Sequence, residues 1–304
     1  YECKNTVKNV GLFELTPFAK YEIKGLKAYE DLQRLCTANI KNEIGKCTYT
    51  HMLNESAGIE ADLTVVCIAK NQFRIISSAA VRTHDKAHIL KFLSNDTEFR
   101  DVTDELNCLG VFGPKSRKLL SNITDENLSN KYLKFGEGKQ IRLGSLNVWI
   151  QRLSYIGELG FEIYVINKNA NELYNLIVNA GKRFNLSHCG AHTMDTMRME
   201  SGFLHWGHDI SPEENQYQSG LNFTISYQKD FNFIGKKKLL ELKNKEIDKR
   251  FVMMVLKDSK PGYPLLLHEE PIYLDNNIIG KTTSGNYSFN YNKNLSFGYI
   301  KSKF

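Results

Sequence analysis

No CxxC pair occurs among the six cysteines of this chain, Cys3, Cys36, Cys47, Cys67, Cys108 and Cys189. Several of them sit in apolar strand or helix patterns, as small core residues do. The expectation is a reducing compartment, the cytoplasm, and no disulfide framework. No apolar run is long enough to cross a bilayer and no signal peptide is legible, so no membrane partner is expected. No G-x-G-x-x-G follows an early strand, so a dinucleotide-binding fold is not visible. A P-loop and a G-x-S-x-G elbow are also missing, and nothing places the Ser, His and Asp residues as a triad. Repeats, low-complexity tracts and long linkers are absent as well.

What is present is ordinary in bulk. Hydrophobic residues make up 41% and charged residues 24% of 304 positions, a globular balance in a chain long enough for two or three domains. The net charge of +6 is spread out. Its densest run, Lys236-Lys237-Lys238, shares the stretch 236–245 with Leu239, Leu240 and Leu242. That pattern reads as a solvated helix face rather than a nucleic-acid patch. Apolar spacing predicts helices over 3–10, 28–36, 84–93, 116–121, 170–184 and 190–200. It predicts extended segments over 13–24, 48–53, 59–69, 73–80, 98–112, 148–154 and 161–166. From 251 onward, short extended pieces alternate with Pro, Gly and Asn turns and read as a small β domain. Strands and helices mixed without a βαβ rhythm predict an α+β fold.

The most informative segment is Tyr155-Ile156-Gly157-Glu158-Leu159-Gly160-Phe161-Glu162, a glycine-hinged loop opening into a strand. On that strand Phe161, Ile163 and Val165 share one face, and Glu162 and Tyr164 share the other. Gly157 and Gly160 permit a tight loop or a close backbone approach to a ligand. A carboxylate in so apolar a strand needs a partner or water. A flat heterocycle with two adjacent N–H groups would suit Glu162, which can accept both in a fork. The alternative is a Glu162 that is exposed or paired with a nearby Lys or Arg.

A second segment, 49–65, joins two strands through a polar loop containing Gly58. Ile59, Ala61, Leu63 and Val65 lie on one face of its second strand, with Glu60, Asp62 and Thr64 on the other. An Asp in mid-strand runs against propensity. Asp62 is therefore either functional or the water-exposed Asp of an edge strand. A third segment, 197–209, runs from a helix into an aromatic loop, with Gly202 placed to cap the helix. His205, His208 and Asp209 invite a metal reading. They lack an i,i+4 histidine pair and a third strong ligand nearby, so no metal is expected. Arg198 is expected to pair with Asp195, three residues earlier.

Taken in order, these segments resemble the folate-binding superfamily of the glycine cleavage T-protein, an aminomethyltransferase. The resemblance is carried by Val10-Gly11-Leu12-Phe13 with Phe18-Ala19-Lys20-Tyr21, and by the stretches 49–65, 154–165 and 197–210. Thr283-Ser284-Gly285-Asn286-Tyr287-Ser288 closes the set, with Phe297-Gly298-Tyr299 behind it. The wording Trp206-Gly207-His208-Asp209 is closer to the folate-binding part of dimethylglycine and sarcosine dehydrogenases.

The resemblance implies a three-lobed cloverleaf around a central folate site. Its parts would be a discontinuous core domain of 1–50 plus 142–235, a second domain of 51–141, and a small β-barrel-like domain of 236–304 that looks incomplete. It implies tetrahydrofolate as the one-carbon acceptor, with Asp62 as the catalytic acid near the reactive nitrogen. Tyr155 would pack near the pterin and Glu162 would hold the pterin edge. Tyr49, Asn54, Arg198 and Trp206 are the further folate-binding residues implied.

The implied activity takes a methylene group from an N-methyl amine, through its iminium, to give 5,10-methylene-tetrahydrofolate. FAD would be carried only on an absent N-terminal domain or a separate subunit. The rival readings are a free-standing aminomethyltransferase, a folate-dependent sulfonium demethylase, and a non-catalytic folate binder. Met194 stands where the T-protein pattern has an arginine, so a contact to the folate glutamate tail is expected to be lost or moved. The start at Tyr1, rather than Met, and the incomplete tail read as cuts at both ends.

Overall fold

Strict alternation is what commits the first sheet to its core: Phe161, Ile163 and Val165 bury on one face of their strand. The computed structural model describes residues 1–304. Along the chain come α1 (Glu2–Thr6), β1 (Val10–Glu14), β2 (Ala19–Lys24), α2 (Ala28–Leu35), β3 (Cys47–Leu53), β4 (Ile59–Ala69) and β5 (Gln72–Ser77). There follow α3 (Arg82–Phe92), β6 (Glu98–Asp101), β7 (Leu106–Phe112), α4 (Ser116–Leu120), β8 (Gly138–Leu143), β9 (Leu146–Gln151) and β10 (Gly160–Ile166). The rest are α5 (Ala170–Gly181), β11 (Leu186–Cys189), α6 (Ala191–Glu200), α7 (Lys236–Lys243), β12 (Lys249–Val255), β13 (Pro271–Leu274), β14 (Asn277–Ser288) and β15 (Lys293–Lys301). The class is α+β, as the sequence pattern requires. No helix is long and apolar enough to cross a membrane.

The chain divides into two compact units, each discontinuous. The first is Tyr1–Tyr29, Lys41–Thr48 and Thr64–Met194; the second is Glu30–Ile40, Tyr49–Leu63 and Asp195–Phe304. In the first unit a six-stranded sheet has the order β11-β1-β7-β10-β9-β8. Its β1–β11 pair is parallel and the other neighbours are antiparallel. Val10, Leu12, Val111, Ile150, Phe161 and Ile163 pack with Leu119, Leu120, Leu173 and Ile177 of α4 and α5. Each such side chain contributes about 1.5–3 kcal/mol by leaving water. A second, five-stranded sheet has the order β3-β4-β5-β2-β6. In the second unit the sheet order is β12-β15-β14-β13, antiparallel throughout.

Three segments differ from the sequence pattern. The extended stretch 13–24 divides at Thr16-Pro17 into β1 and β2, which belong to different sheets. The stretch 98–112 likewise divides into β6 and β7 of different sheets. Alternation looks the same whether or not a strand changes partners, so the break is invisible locally. The helix expected over 3–10 stops at Thr6, because Val10 is drawn into β1, which pairs with β11 on one side and β7 on the other. Tertiary pairing overrides local preference there.

Candidate functional site

In the first unit, the register of β9 against β10 sets Gln151 directly across from Glu162. Cross-strand neighbours on one face stand close enough for side chains to bond. Gln151 Nε2 donates to Glu162 Oε2 at 2.7 Å, and the Tyr164 hydroxyl, two residues along the same face, donates to the same oxygen at 2.8 Å. The Trp149 indole N–H donates to Gln151 Oε1 at 3.3 Å and so fixes which way that amide points. On the other side β7 presents Gly110 opposite Glu162, where the Phe112 ring closes over the glycine: a Cβ there would lie 2.6 Å from Phe112 Cζ. Glu162 Oε1 has no hydrogen-bond partner in the protein.

Burial raises the Glu162 pKa above the usual carboxylate value, and the bonds from Tyr164 and Gln151 pull against that shift. A carboxylate offers about four lone-pair directions, of which two are taken. The arrangement is a pre-aimed, partly desolvated acceptor that gains from a ligand with adjacent N–H donors, and a reduced pterin edge carries such donors. The expectation of an exposed Glu162, or one paired with Lys or Arg, is corrected. The nearby Arg74 is spent on Glu22 at 2.6 Å and lies 5.6 Å over the Tyr164 ring.

The loop before β10 carries Tyr155, half-buried, and Gly157 at φ +77°, a conformation that suits glycine. The close approach at Gly160 is internal. A Cβ there would lie 2.5 Å from Phe112 Cδ1 and 2.6 Å from Ser154 Cβ. An open cleft of ≈ 300 Å³ is lined by Phe135, Arg152, Ser154, Gly157 and Glu158 among others. Neither Tyr155 nor Glu162 lines it.

The second unit holds Asp62. It lies on β4, between β3 and β5, so the edge-strand alternative is corrected. Its Oδ1 is 3.6 Å from His51 Nε2, and that imidazole is fully buried. Tyr49, 41% exposed, places its hydroxyl 3.3 Å from the same nitrogen. Sequence reasoning passed over His51, although it stands within the segment singled out. A histidine on an apolar strand gives no sign of which partners it will meet. Burial pushes the His51 pKa down from 6.5 to about 3, so the ring is neutral in ordinary buffers.

That shift fixes a pH dependence. Between pH 3 and 6.5 the unfolded chain binds a proton on His51 that the folded chain does not. Stability is therefore at its full value above pH 6.5 and falls as the pH drops toward 3. From pH 6.5 to 5, the slope of unfolding free energy in His51→Asn is expected to be shallower than wild type by about one proton, approaching 1.4 kcal/mol per pH unit. Urea titrations at pH 5.0, 5.5, 6.0 and 6.5 measure it, and equal slopes would remove this account of His51.

Asn54 closes the loop ahead of β4. Its Nδ2 donates to Glu60 Oε1 at 2.9 Å, and its Oδ1 accepts from the N–H groups of Ser56 and Gly58 at 3.0 and 2.9 Å. Its amide is thus engaged in shaping the turn. Gly58 is required by a close approach, since a Cβ there would lie 2.0 Å from the Pro212 carbonyl oxygen. Trp206 donates its indole N–H to the Ile59 carbonyl at 2.8 Å and so ties its loop to the start of β4.

Arg198 lies inside a dense polar network. It pairs with Asp195 at 2.8 Å, as expected, but also with Asp209 at 2.5 Å. It donates further to the Phe203 carbonyl at 3.0 Å and to Ser284 Oγ at 2.9 Å. Asp209 accepts in addition from Thr283, Ser284 and the His205 N–H at 2.6, 2.7 and 2.9 Å. Both side chains are buried, at 2% and 0% exposed. A guanidinium so engaged braces the loop that follows α6. Gly202, at φ +74°, turns the chain out of α6: its N–H bonds Met199 O at 3.0 Å, and that of Phe203 bonds Arg198 O at 2.9 Å. This is the double-bonded glycine cap expected at that position.

The model described as GCVT N-terminal domain matches residues 1–229, and that described as glycine cleavage T-protein C-terminal barrel domain matches residues 249–304. The chain is 33% identical over 304 residues to dimethylglycine dehydrogenase, mitochondrial, of Rattus norvegicus, across 98% of this chain and 35% of that protein. It is 31% identical over 301 residues to an aminomethyltransferase of Thermoanaerobacter pseudethanolicus, across 97% of this chain and 79% of that one. The crystal structure of glycine cleavage system aminomethyltransferase T from Bartonella henselae matches with a TM-score of 0.87 at 24% identity, over 99% of this chain and 81% of that chain. This last likeness carries the fold. The chain spans about a third of the length of the dehydrogenase it matches.

Proposed function

The chain belongs to the glycine cleavage T-protein family, and from that premise we propose that it is a tetrahydrofolate-dependent one-carbon transfer module of the dimethylglycine and sarcosine dehydrogenase type. The observation that carries the reading is Glu162, a desolvated carboxylate with one oxygen held by Gln151 and Tyr164 and the other without a hydrogen-bond partner in the protein. When bound, tetrahydrofolate supplies two amine nitrogens that accept the one-carbon unit as a methylene bridge. Glu162 holds the N–H edge of the pterin, and Tyr155 packs near the ring. Asp62 takes the proton released at the reactive nitrogen, as a general base whose geometry matters as much as its basicity. Much of the remaining gain is the positioning of two reactants.

The transfer balances without an oxidant: an iminium and tetrahydrofolate give 5,10-methylene-tetrahydrofolate, the free amine and one proton. The step that makes the iminium is an oxidation, and in this reading a flavin on another domain or subunit performs it. The division into 1–50 with 142–235, 51–141 and 236–304 remains part of the same proposal. Similarity to an aminomethyltransferase over most of its length favours, as a second reading, a free-standing enzyme that takes its one-carbon unit from an aminomethylated carrier. Turnover of such a carrier by the chain alone would select it.

Calorimetric titration with tetrahydrofolate tests the proposal. Saturable binding is expected, weakened roughly 30- to 150-fold in Glu162→Ala, since charge-assisted hydrogen bonds contribute about 2–3 kcal/mol. A folded wild-type chain that binds no tetrahydrofolate would end this reading.

A further inference from the structure

The open cleft of the first unit has no part in the folate chemistry, since neither Tyr155 nor Glu162 lines it. At ≈ 300 Å³ it stands at the lower end of the size range for small-molecule sites. Arg152 lines it, one residue beyond the end of β9. The backbone there is fixed in both directions. The Arg152 N–H donates to the Glu137 carbonyl at 2.8 Å, and the Gly136 N–H donates to the Arg152 carbonyl at 3.1 Å. One nitrogen of the guanidinium, Nη1, donates to the Leu133 carbonyl at 3.4 Å. The opposite edge, Nε with Nη2, has no acceptor in the protein, and Nε is already shielded from water.

A second guanidinium stands close by. Arg117, on α4, donates through Nη2 to Asn130 Oδ1 at 2.6 Å, and its Nε is likewise shielded and without an acceptor. Burial, and then the charge of Arg152, lower its pKa from the ordinary value. Glu158 is the one acid among the lining residues, and it forms no ion pair with either arginine. Two like charges are thus held together with desolvated, unsatisfied N–H groups and no counter-charge. In a folded protein such groups call for an explanation, and an absent anion is one.

The rest of the lining suits that explanation. The Ser154 hydroxyl accepts from the Ile156 N–H at 3.3 Å, which leaves its own proton to give. The Gly157 N–H donates to no acceptor in the protein. Phe135 is 72% exposed and supplies an aromatic wall.

We propose that this cleft binds a dianionic oxyanion, a phosphate monoester carried on a flat or apolar body. The Nε–Nη2 edge of Arg152 is the fork that meets two oxygens of one phosphate or carboxylate group. A monocarboxylate would neutralise one of the two guanidiniums, whereas a phosphate dianion neutralises both. The exposed Phe135 ring favours an ester with a flat body over the free ion. The site shares no residue with the Glu162 cluster and does not depend on the folate reading.

The experiment titrates the full chain with phenyl phosphate, inorganic phosphate and benzoate at low ionic strength. It is run at about pH 8, where a phosphate monoester is a dianion. Ligand-observed NMR gives the affinities, and urea midpoints confirm that each variant is folded. Phenyl phosphate is expected to saturate with a dissociation constant of about 1 mM or lower, tighter than inorganic phosphate. Benzoate should bind at least about tenfold more weakly. Arg152→Gln should weaken phenyl phosphate about tenfold or more, and Arg117→Gln about threefold to tenfold. Arg152→Lys, which keeps the charge and loses the fork, should fall between wild type and Arg152→Gln.

A folded wild-type chain that neither phosphate saturates would overturn the proposal, as would equal affinities in wild type and Arg152→Gln. Should Arg152→Gln fail to fold, unchanged affinities in both Arg152→Lys and Arg117→Gln would do the same. Benzoate binding as tightly as phenyl phosphate would overturn the dianion assignment. Inorganic phosphate binding as tightly as the ester would remove the aromatic wall. Tetrahydrofolate affinity should be the same in Arg152→Lys as in wild type, and competition between phenyl phosphate and tetrahydrofolate would overturn the separateness of the two sites. A wild type that binds phenyl phosphate but no tetrahydrofolate would end the folate reading and leave this one standing.

Discussion

Arg198→Met is expected to lower the unfolding free energy by about 3–5 kcal/mol, the largest stability loss foreseen for any single polar replacement in this chain. The reasoning starts from Asp209. It is fully buried, and the Arg198 guanidinium is its one charge partner in a cage otherwise built of neutral donors. Methionine keeps much of the volume and the contact with Phe297, over which the guanidinium lies at 5.3 Å. The substitution therefore isolates the charge rather than opening a cavity. What remains is a buried carboxylate without a counter-charge, and that penalty dominates.

Asp209→Leu in the same background should recover more than half of the loss, because it removes the stranded charge. Urea midpoints of the two singles and the double supply the interaction term directly. A single-variant loss under about 1 kcal/mol would show that the pair is not the scaffold described here. Tetrahydrofolate affinity of the folded fraction should stay within threefold of wild type. That outcome separates a structural Arg198 from the ligand-binding one implied by family resemblance.

Asp62→Asn is expected to reduce methylene transfer by roughly 10²–10⁴-fold, the range for losing a positioned general acid or base. The amide is nearly isosteric with the acid. It cannot take up a proton at neutral pH. Folate affinity should change little, since the pterin edge is assigned to Glu162. A rate loss confined to turnover would mark Asp62 as acting in the reaction, and one confined to affinity would move it to the binding set. Transfer at the wild-type rate would remove it from the mechanism. Comparison with Glu162→Ala, which should lose affinity first, makes the two carboxylates distinguishable by one pair of measurements.

Legibility from sequence followed the range of the interaction. Glu162 on the opposite face from Phe161, Ile163 and Val165 was readable from alternation alone, because strand periodicity is a local property. Its partner Gln151 was not, since that bond depends on the register of β9 against β10. Gly202 announced the end of α6 and Asp195 announced its bond to Arg198, each within a few residues along one helix. The second acid, Asp209, also lay within the segment read for metal binding. Its distance from Arg198 in sequence gave no hint that a buried ion pair would claim it. Asn54 shows the reverse case: a polar residue in a suggestive loop was spent on shaping that loop.

The sequence by itself determined the α+β class, the helices and strands with strong periodicity, the glycine-hinged turns, and the family through motifs kept in order. Each of these is written in neighbouring residues, where backbone preference and amphipathic spacing act. Only the tertiary structure decided that β1 and β2 part company into different sheets, that Asp62 sits on an interior strand beside a neutral histidine, and that Arg198 is enclosed. Those outcomes depend on which distant segments exclude water together. Burial sets the charge state of His51 and the cost of parting Arg198 from Asp209, and burial is a property of the packed chain rather than of any stretch of it.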